Sequence, residues 1–219
     1  MSFPTIGDTV KGTECENILM DFCLPSVKSD VTSIKERYEE ITQKETAISI
    51  VPAENKILQN IIWPIKHAKV SYCLENYLGT IALCGMAAEM LAILIFEVHN
   101  IQVSSYPINK SKDIQKGLFG NTFEKLGQER RVNILFAYGV IDDKDKSIFS
   151  LVRKTRNKYL HLYSDNHLSI KSDALKLYAS ITLLFRNIIG LEIRNGAVKL
   201  NSSFVIYFRK VGIITEPTE

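Results

Sequence analysis

The stretch Arg131–His161, RVNILFAYGVIDDKDKSIFSLVRKTRNKYLH, decides how this chain is read. Glu129 to Tyr138 has helical character, and Gly139 ends it, as a glycine after a last turn commonly does. Asp142 and Asp143 then precede a second helix, predicted from about Lys144 to Tyr163, where their negative charge suits the positive end of the helix dipole. Ile148, Leu151, Val152, Tyr159 and Leu162 are its apolar positions and mark the expected buried face, with Thr155 continuing the row.

Upstream, Ile81 to Val98 is almost wholly apolar and close to the minimum length for crossing a bilayer. Glu89 stands in its middle, where a carboxylate in hydrocarbon costs ~2.5–3.5 kcal/mol on insertion scales. Ala82, Gly85, Ala87, Ala88 and Ala92 let neighbouring helices come close. The expectation is therefore a helix from about Glu75 to His99 that forms the central wall of a core, with no membrane partner.

Further out, Ser29-Asp30 could cap a helix carrying Ile34, Tyr38 and Ile41, and Ala47 to Pro52 reads as a strand or extended connector. Ile57, Ile61, Ile65, Ala68 and Tyr72 trace a helical stripe in which a kink or break is expected near Pro64. Asn100 to Gly120, with its lysines, Pro107 and glycines, reads as a long loop, and Thr122 to Gly127 as one short helix. A helix over Asp173 to Ile189 ends at Gly190. The tail reads as two short strands, Val198–Leu200 and Phe204–Phe208, around a turn at Asn201-Ser202. The resulting division is an accessory region over 1–50, a helical domain over 51–190 and a β-rich tail over 191–219.

Composition narrows the class. Of 219 residues, 46% are hydrophobic and 23% charged, which excludes a disordered chain and suits an ordinary folded core. The formal net charge of +3 permits a polyanionic partner without requiring one. Cys15, Cys23, Cys73 and Cys84 form no Cys-x-x-Cys pair and have no histidine at ligand spacing, so neither a structural zinc site nor a disulfide framework is expected. Cys84 reads as a small core residue, and a reducing cytoplasm is the compartment this pattern fits. The first nineteen residues show no basic segment followed by an apolar one, so no secretion signal is read there.

Chemistry concentrates at the end of the opening stretch. Arg153, Lys154, Arg156 and Lys158 fall within six residues, and His161 follows. A histidine suits proton transfer near neutrality, and an arginine fork suits a phosphate gathering negative charge. Asn157 lies one helical turn before His161 and can orient it. Arg156 lies about 140° around the helix from His161, so one copy does not close a compact site. Either the arginine reaches around or a second copy of the helix supplies the missing groups. With RNA as substrate, His161 could take the proton of a ribose 2′-OH that attacks the adjacent phosphate while Arg156 stabilises the transition state. That chemistry calls for no metal and no cofactor, leaves a 2′,3′-cyclic phosphate, and spares DNA.

The pattern Arg156-Asn157-x-x-x-His161 near a helix end resembles the R-x4-6-H motif of HEPN domains. Arg131–His161 is similar to the helix, Gly-hydrophobic-Ile-Asp break and motif helix of bacterial members, and GMAAEMLAILI around Glu89 is similar to their preceding core helix. The resemblance spans about Lys66 to Gly190. It implies a mainly α, antiparallel HEPN-like bundle, here with an N-terminal helical arm and a small C-terminal β-hairpin. It further implies a homodimer in which two motifs share a cleft, endoribonuclease activity in a toxin–antitoxin or defence setting, and an antitoxin or defence-complex partner. Arg156, Asn157 and His161 take the catalytic places, Glu89 is a candidate contributor, and Arg153, Lys154 and Lys158 are candidate RNA contacts. Non-catalytic members, acting as regulators or scaffold subunits, share the same motif. Glu89 can equally be a structural carboxylate, His161 a helix-end histidine, and the cations a solvated face.

Overall fold

The computed structural model describes residues 31–44, 56–99, 108–160, 167–190, 192–194, 197–199 and 201–210. These form eight α-helices: α1 (Val31–Lys44), α2 (Lys56–Cys73), α3 (Tyr77–Val98), α4 (Ile108–Phe119), α5 (Gln128–Ala137), α6 (Asp143–Leu160), α7 (Ile170–Phe185) and α8 (Ser202–Lys210). A 3-10 turn, Phe123–Lys125, precedes α5, and a π turn, Arg186–Gly190, closes α7. A short antiparallel ladder pairs β1 (Glu192–Arg194) with β2 (Ala197–Lys199). The chain is mainly helical, as expected.

α3 is the hub, packed against α2, α5, α6, α7 and α8. Asn76 starts it by accepting the Gly79 amide on its side-chain oxygen at 2.8 Å, which satisfies one orphan donor of the first turn. Ile81, Cys84, Ala88, Leu91 and Ile95 point into the bundle and are fully buried. Cys84 is the small core residue expected, its thiol pushed up by burial. This helix is long and apolar enough to cross a membrane, yet more than half of it is covered by its neighbours.

The turn between α2 and α3 is tied from outside. Glu75 adopts a left-handed backbone (φ 62°), a conformation costly for a residue with a Cβ. Arg37 of α1, itself buried, donates from Nε to the Cys73 carbonyl at 2.7 Å and pairs with Glu75 at 2.6 Å. With Ile41 fully buried, these contacts seat α1 on the same core as α3. Asp142 accepts the Asp145 amide at 2.8 Å and opens α6, with Asp143 and Asp145 in its first turn.

Three expectations are corrected. Of the kink or break expected near Pro64, the break does not occur: α2 runs unbroken through the proline. Ile108–Phe119, placed inside a long loop, is helical, and Gln115 there accepts the Phe123 amide, holding α4 to the turn that follows. Phe204–Phe208, expected as a strand, lies within α8: Phe204 and Phe208, four apart, are both buried while Ile206 faces out, a helical period rather than an alternating one. The ladder that does form lies earlier in the tail than the predicted hairpin. At the entry to α8, Asn201 donates to the Ile189 carbonyl at 2.8 Å, and a Cβ on Gly190 (φ 70°) would stand 2.9 Å from the Asn201 nitrogen. Only glycine meets both demands. The cap predicted at Ser29-Asp30 and the connector at Ala47–Pro52 lie outside the described residues.

Candidate active site at the contact of two helices

The buried row of α6 is not quite the one the apolar pattern suggested. Phe149, Val152 and Tyr159 are buried, whereas Ile148 and Leu151 are only partly so. Arg156 sits between Val152 and Tyr159 on that core-facing row. A guanidinium cannot be turned inward without room and a counter-charge. α3 supplies both. Gly85 provides the room: a Cβ there would lie 2.6 Å from Arg156 Cδ. Glu89, one turn further along α3, provides the charge by pairing with Arg156 Nη1. The two side chains keep 23% and 31% of their surface, so the pair stands at the edge of the helix contact rather than inside it. Arg156 Nε is buried with no hydrogen-bond partner among the described residues. A donor on a charged group left in that state costs about 1–3 kcal/mol or more, which an anionic acceptor would relieve.

The other cations diverge. Arg153 pairs with Glu129 of α5 at 3.1 Å, and Lys158 with Asp173 of α7 at 2.9 Å. Three of the four cations thus reach three different neighbouring helices, each opposite a carboxylate. Lys154 is exposed. The cluster that looked like one basic patch is largely neutralised at its base. Asn157 is half-buried. His161 follows the last residue of α6 and lies outside the described residues.

A second polar group, not foreseen, joins the end of α6 to the start of α7. The buried Tyr159 donates its hydroxyl to Asp173 at 2.7 Å and lies 3.0 Å from Ser169 Oγ. Lys158 donates to both Ser169 and Asp173. Burial alone would raise the Asp173 carboxyl, but bonds from Tyr159 and Lys158, the Lys158 charge and Ser169 together hold it below its ordinary value. Lys158 is held above its own by Tyr159 and Asp173. His167 stacks beside Tyr159 with 6.0 Å between ring centroids. Sequence spacing could not join Tyr159 to Asp173, because they sit on different helices.

One face of α3 beside the pair is only partly covered by the described residues. Leu78, Ala82, Met86, Glu89 and Ile93 fall within an arc of about 80° at 100° per residue; Leu78 and Met86 are exposed, and Ala82, Glu89 and Ile93 are half-buried. The opposite face carries the buried residues named above. No protein-family model, curated protein or solved structure matches the chain.

Proposed function

We propose that this chain is a metal-independent endoribonuclease of the HEPN type, acting as a homodimer whose two α6 helices share one cleft. The observation that carries the reading is Arg156. It is an arginine on a core-facing row, given space by Gly85, aimed by Glu89, and holding a buried Nε donor that has no acceptor among the described residues. Such a guanidinium is ordered before any substrate arrives, the condition for stabilising charge that develops only in a transition state. The partly exposed face of α3 that carries Leu78 and Met86 lies beside it and is the surface on which a second copy would sit.

In the proposed reaction a neutral His161 removes the proton of a ribose 2′-OH. The oxygen attacks the neighbouring phosphorus, Arg156 stabilises the charge on the non-bridging oxygens, and the His161 of the second copy protonates the departing 5′-oxygen. The products are a 2′,3′-cyclic phosphate and a 5′-hydroxyl. Asn157 orients His161 from one turn away. The resemblance of the motif supports a toxin–antitoxin or antiphage defence setting for such an enzyme.

Incubation of the protein with total RNA in EDTA tests this. Wild type cleaves and leaves cyclic phosphate ends, whereas His161→Ala and Arg156→Ala do not. Loss of wild-type cleavage in EDTA contradicts the metal-free route. A second reading, a non-catalytic regulator or scaffold subunit of the same fold, is favoured by one observation: Arg153, Arg156 and Lys158 are already matched by carboxylates. It predicts no cleavage by any variant with assembly intact.

A further inference from the structure

Away from α6, an apolar trough of about 580 Å³ is lined by residues of α1 and α2, with Tyr178 of α7. Its floor is Ile62, Ile65 and Tyr178, and its walls carry Val31, Tyr38, Val70 and Leu74, all four exposed. Lys35, Lys66 and Lys69 also line it, and among the described residues no acidic one does. Lys69 reaches over the Tyr38 ring at 4.6 Å, and Lys35 keeps a loose 3.9 Å contact with Glu39 outside the trough. Isolated exposed apolar residues need no explanation, but a continuous set lining a concavity does. We propose that this trough is a docking site for an acidic amphipathic helix of a protein partner.

Three features select that occupant. The trough is walled by two packed helices, and exposed side chains along such walls offer the ridges against which a third helix can seat. Val31 and Tyr38 on α1, and Val70 and Leu74 on α2, recur at helical spacings, so each wall presents apolar side chains a turn or two apart along its length. The lysines set the sign of the charge: an apolar ligand face flanked by glutamates or aspartates is attracted, and one flanked by lysines is repelled. The site lies on elements separate from the α3–α6 contact and does not depend on the ribonuclease reading.

The test uses two synthetic 18-residue helical peptides with leucines at heptad spacing, one with glutamates and one with lysines at the remaining positions. Each is fluorescently labelled and titrated into the full chain. The single tryptophan, Trp63, neighbours Ile62 in sequence and serves as a second reporter. The acidic peptide is expected to bind at least tenfold more tightly than the basic one, with the gap narrowing as salt rises. Replacing Lys35, Lys66 and Lys69 together by glutamate reverses the preference, and Val70→Asp weakens both peptides at least tenfold. Val70 is half-exposed, so that change leaves the core intact. Equal binding of the two peptides, or of neither, overturns the proposal. So does displacement of the acidic peptide by a fatty acid such as laurate, or self-association of the chain that Val70→Asp abolishes, since a lipid or a second copy would then be the occupant.

Discussion

Arg37–Glu75 and Arg156–Glu89, two of the three arginine–glutamate pairs among the described residues, are built differently. Arg37 is almost wholly buried, divides its donors between a backbone carbonyl and Glu75, and clamps a turn whose backbone is strained. Among the described residues Arg156 has no backbone acceptor and pairs with Glu89 alone; it rests on a glycine at the edge of the face that carries the exposed Leu78 and Met86. The first geometry is what holding a fold together requires. The second keeps a charged fork ordered yet within reach of solvent. The comparison separates a structural arginine from a candidate catalytic one on grounds that the residue type alone does not provide.

Substitutions can push on that contrast. Arg156→Ala should lower RNA cleavage by about 100-fold or more, the usual scale for losing a preorganised donor to a developing oxyanion. Its melting temperature should stay close to wild type because Glu89 can turn to water. Arg37→Ala should do the opposite. It should cost about 2–3 kcal/mol in urea unfolding, somewhat below the loss for a fully buried pair because Glu75 keeps access to water, and leave activity per folded molecule unchanged. If Arg37→Ala proves harmless to stability, the contrast fails.

Gly85→Ala sharpens it further. Alanine favours the helix by about 1 kcal/mol, and the new methyl would displace the flexible Arg156 side chain. Stability should therefore change by less than about 1 kcal/mol while cleavage falls roughly tenfold, through misplacement of the guanidinium. The smallest effect concerns Asp173. Its carboxyl is held below the ordinary value, so its stabilisation is complete above the unfolded value near 3.9 and is lost as pH falls through the lower folded one. The melting-temperature gap between wild type and Asp173→Asn should be full at neutral pH and close in strong acid. A gap that widens on acidification would reverse the sign.

Much of the core could be read from the sequence because its signals are local. The small-residue run around Gly85, the glycine after α5 and the aspartates before α6 each act within a few residues of themselves. Gly85, Glu89 and Arg156 were also visible, the first as a spacing residue and the others as site candidates. Their junction was not, because it depends on how α6 is rotated against α3, and the apolar pattern placed that rotation one position away, at Ile148 rather than Phe149. The same limit hid the partners of Arg153 and Lys158, which lie on other helices. α8 was misread because a run of aromatic and β-branched residues favours a strand until tertiary packing buries Phe204 and Phe208 on one side. α4 was missed because a lysine-rich segment with few apolar residues gives no periodic signal.

The proposal that unites these observations is that catalysis belongs to two copies joined across the face of α3 that carries Leu78 and Met86. Met86 lies exposed on that face and takes no part in the core. Light scattering and RNA cleavage in EDTA, measured together on wild type and Met86→Asp, address it directly. The prediction is that wild type is a dimer and cleaves, whereas Met86→Asp is a folded monomer with its helical spectrum intact and cleavage lost. A monomeric Met86→Asp that cleaves RNA as fast as wild type would contradict it.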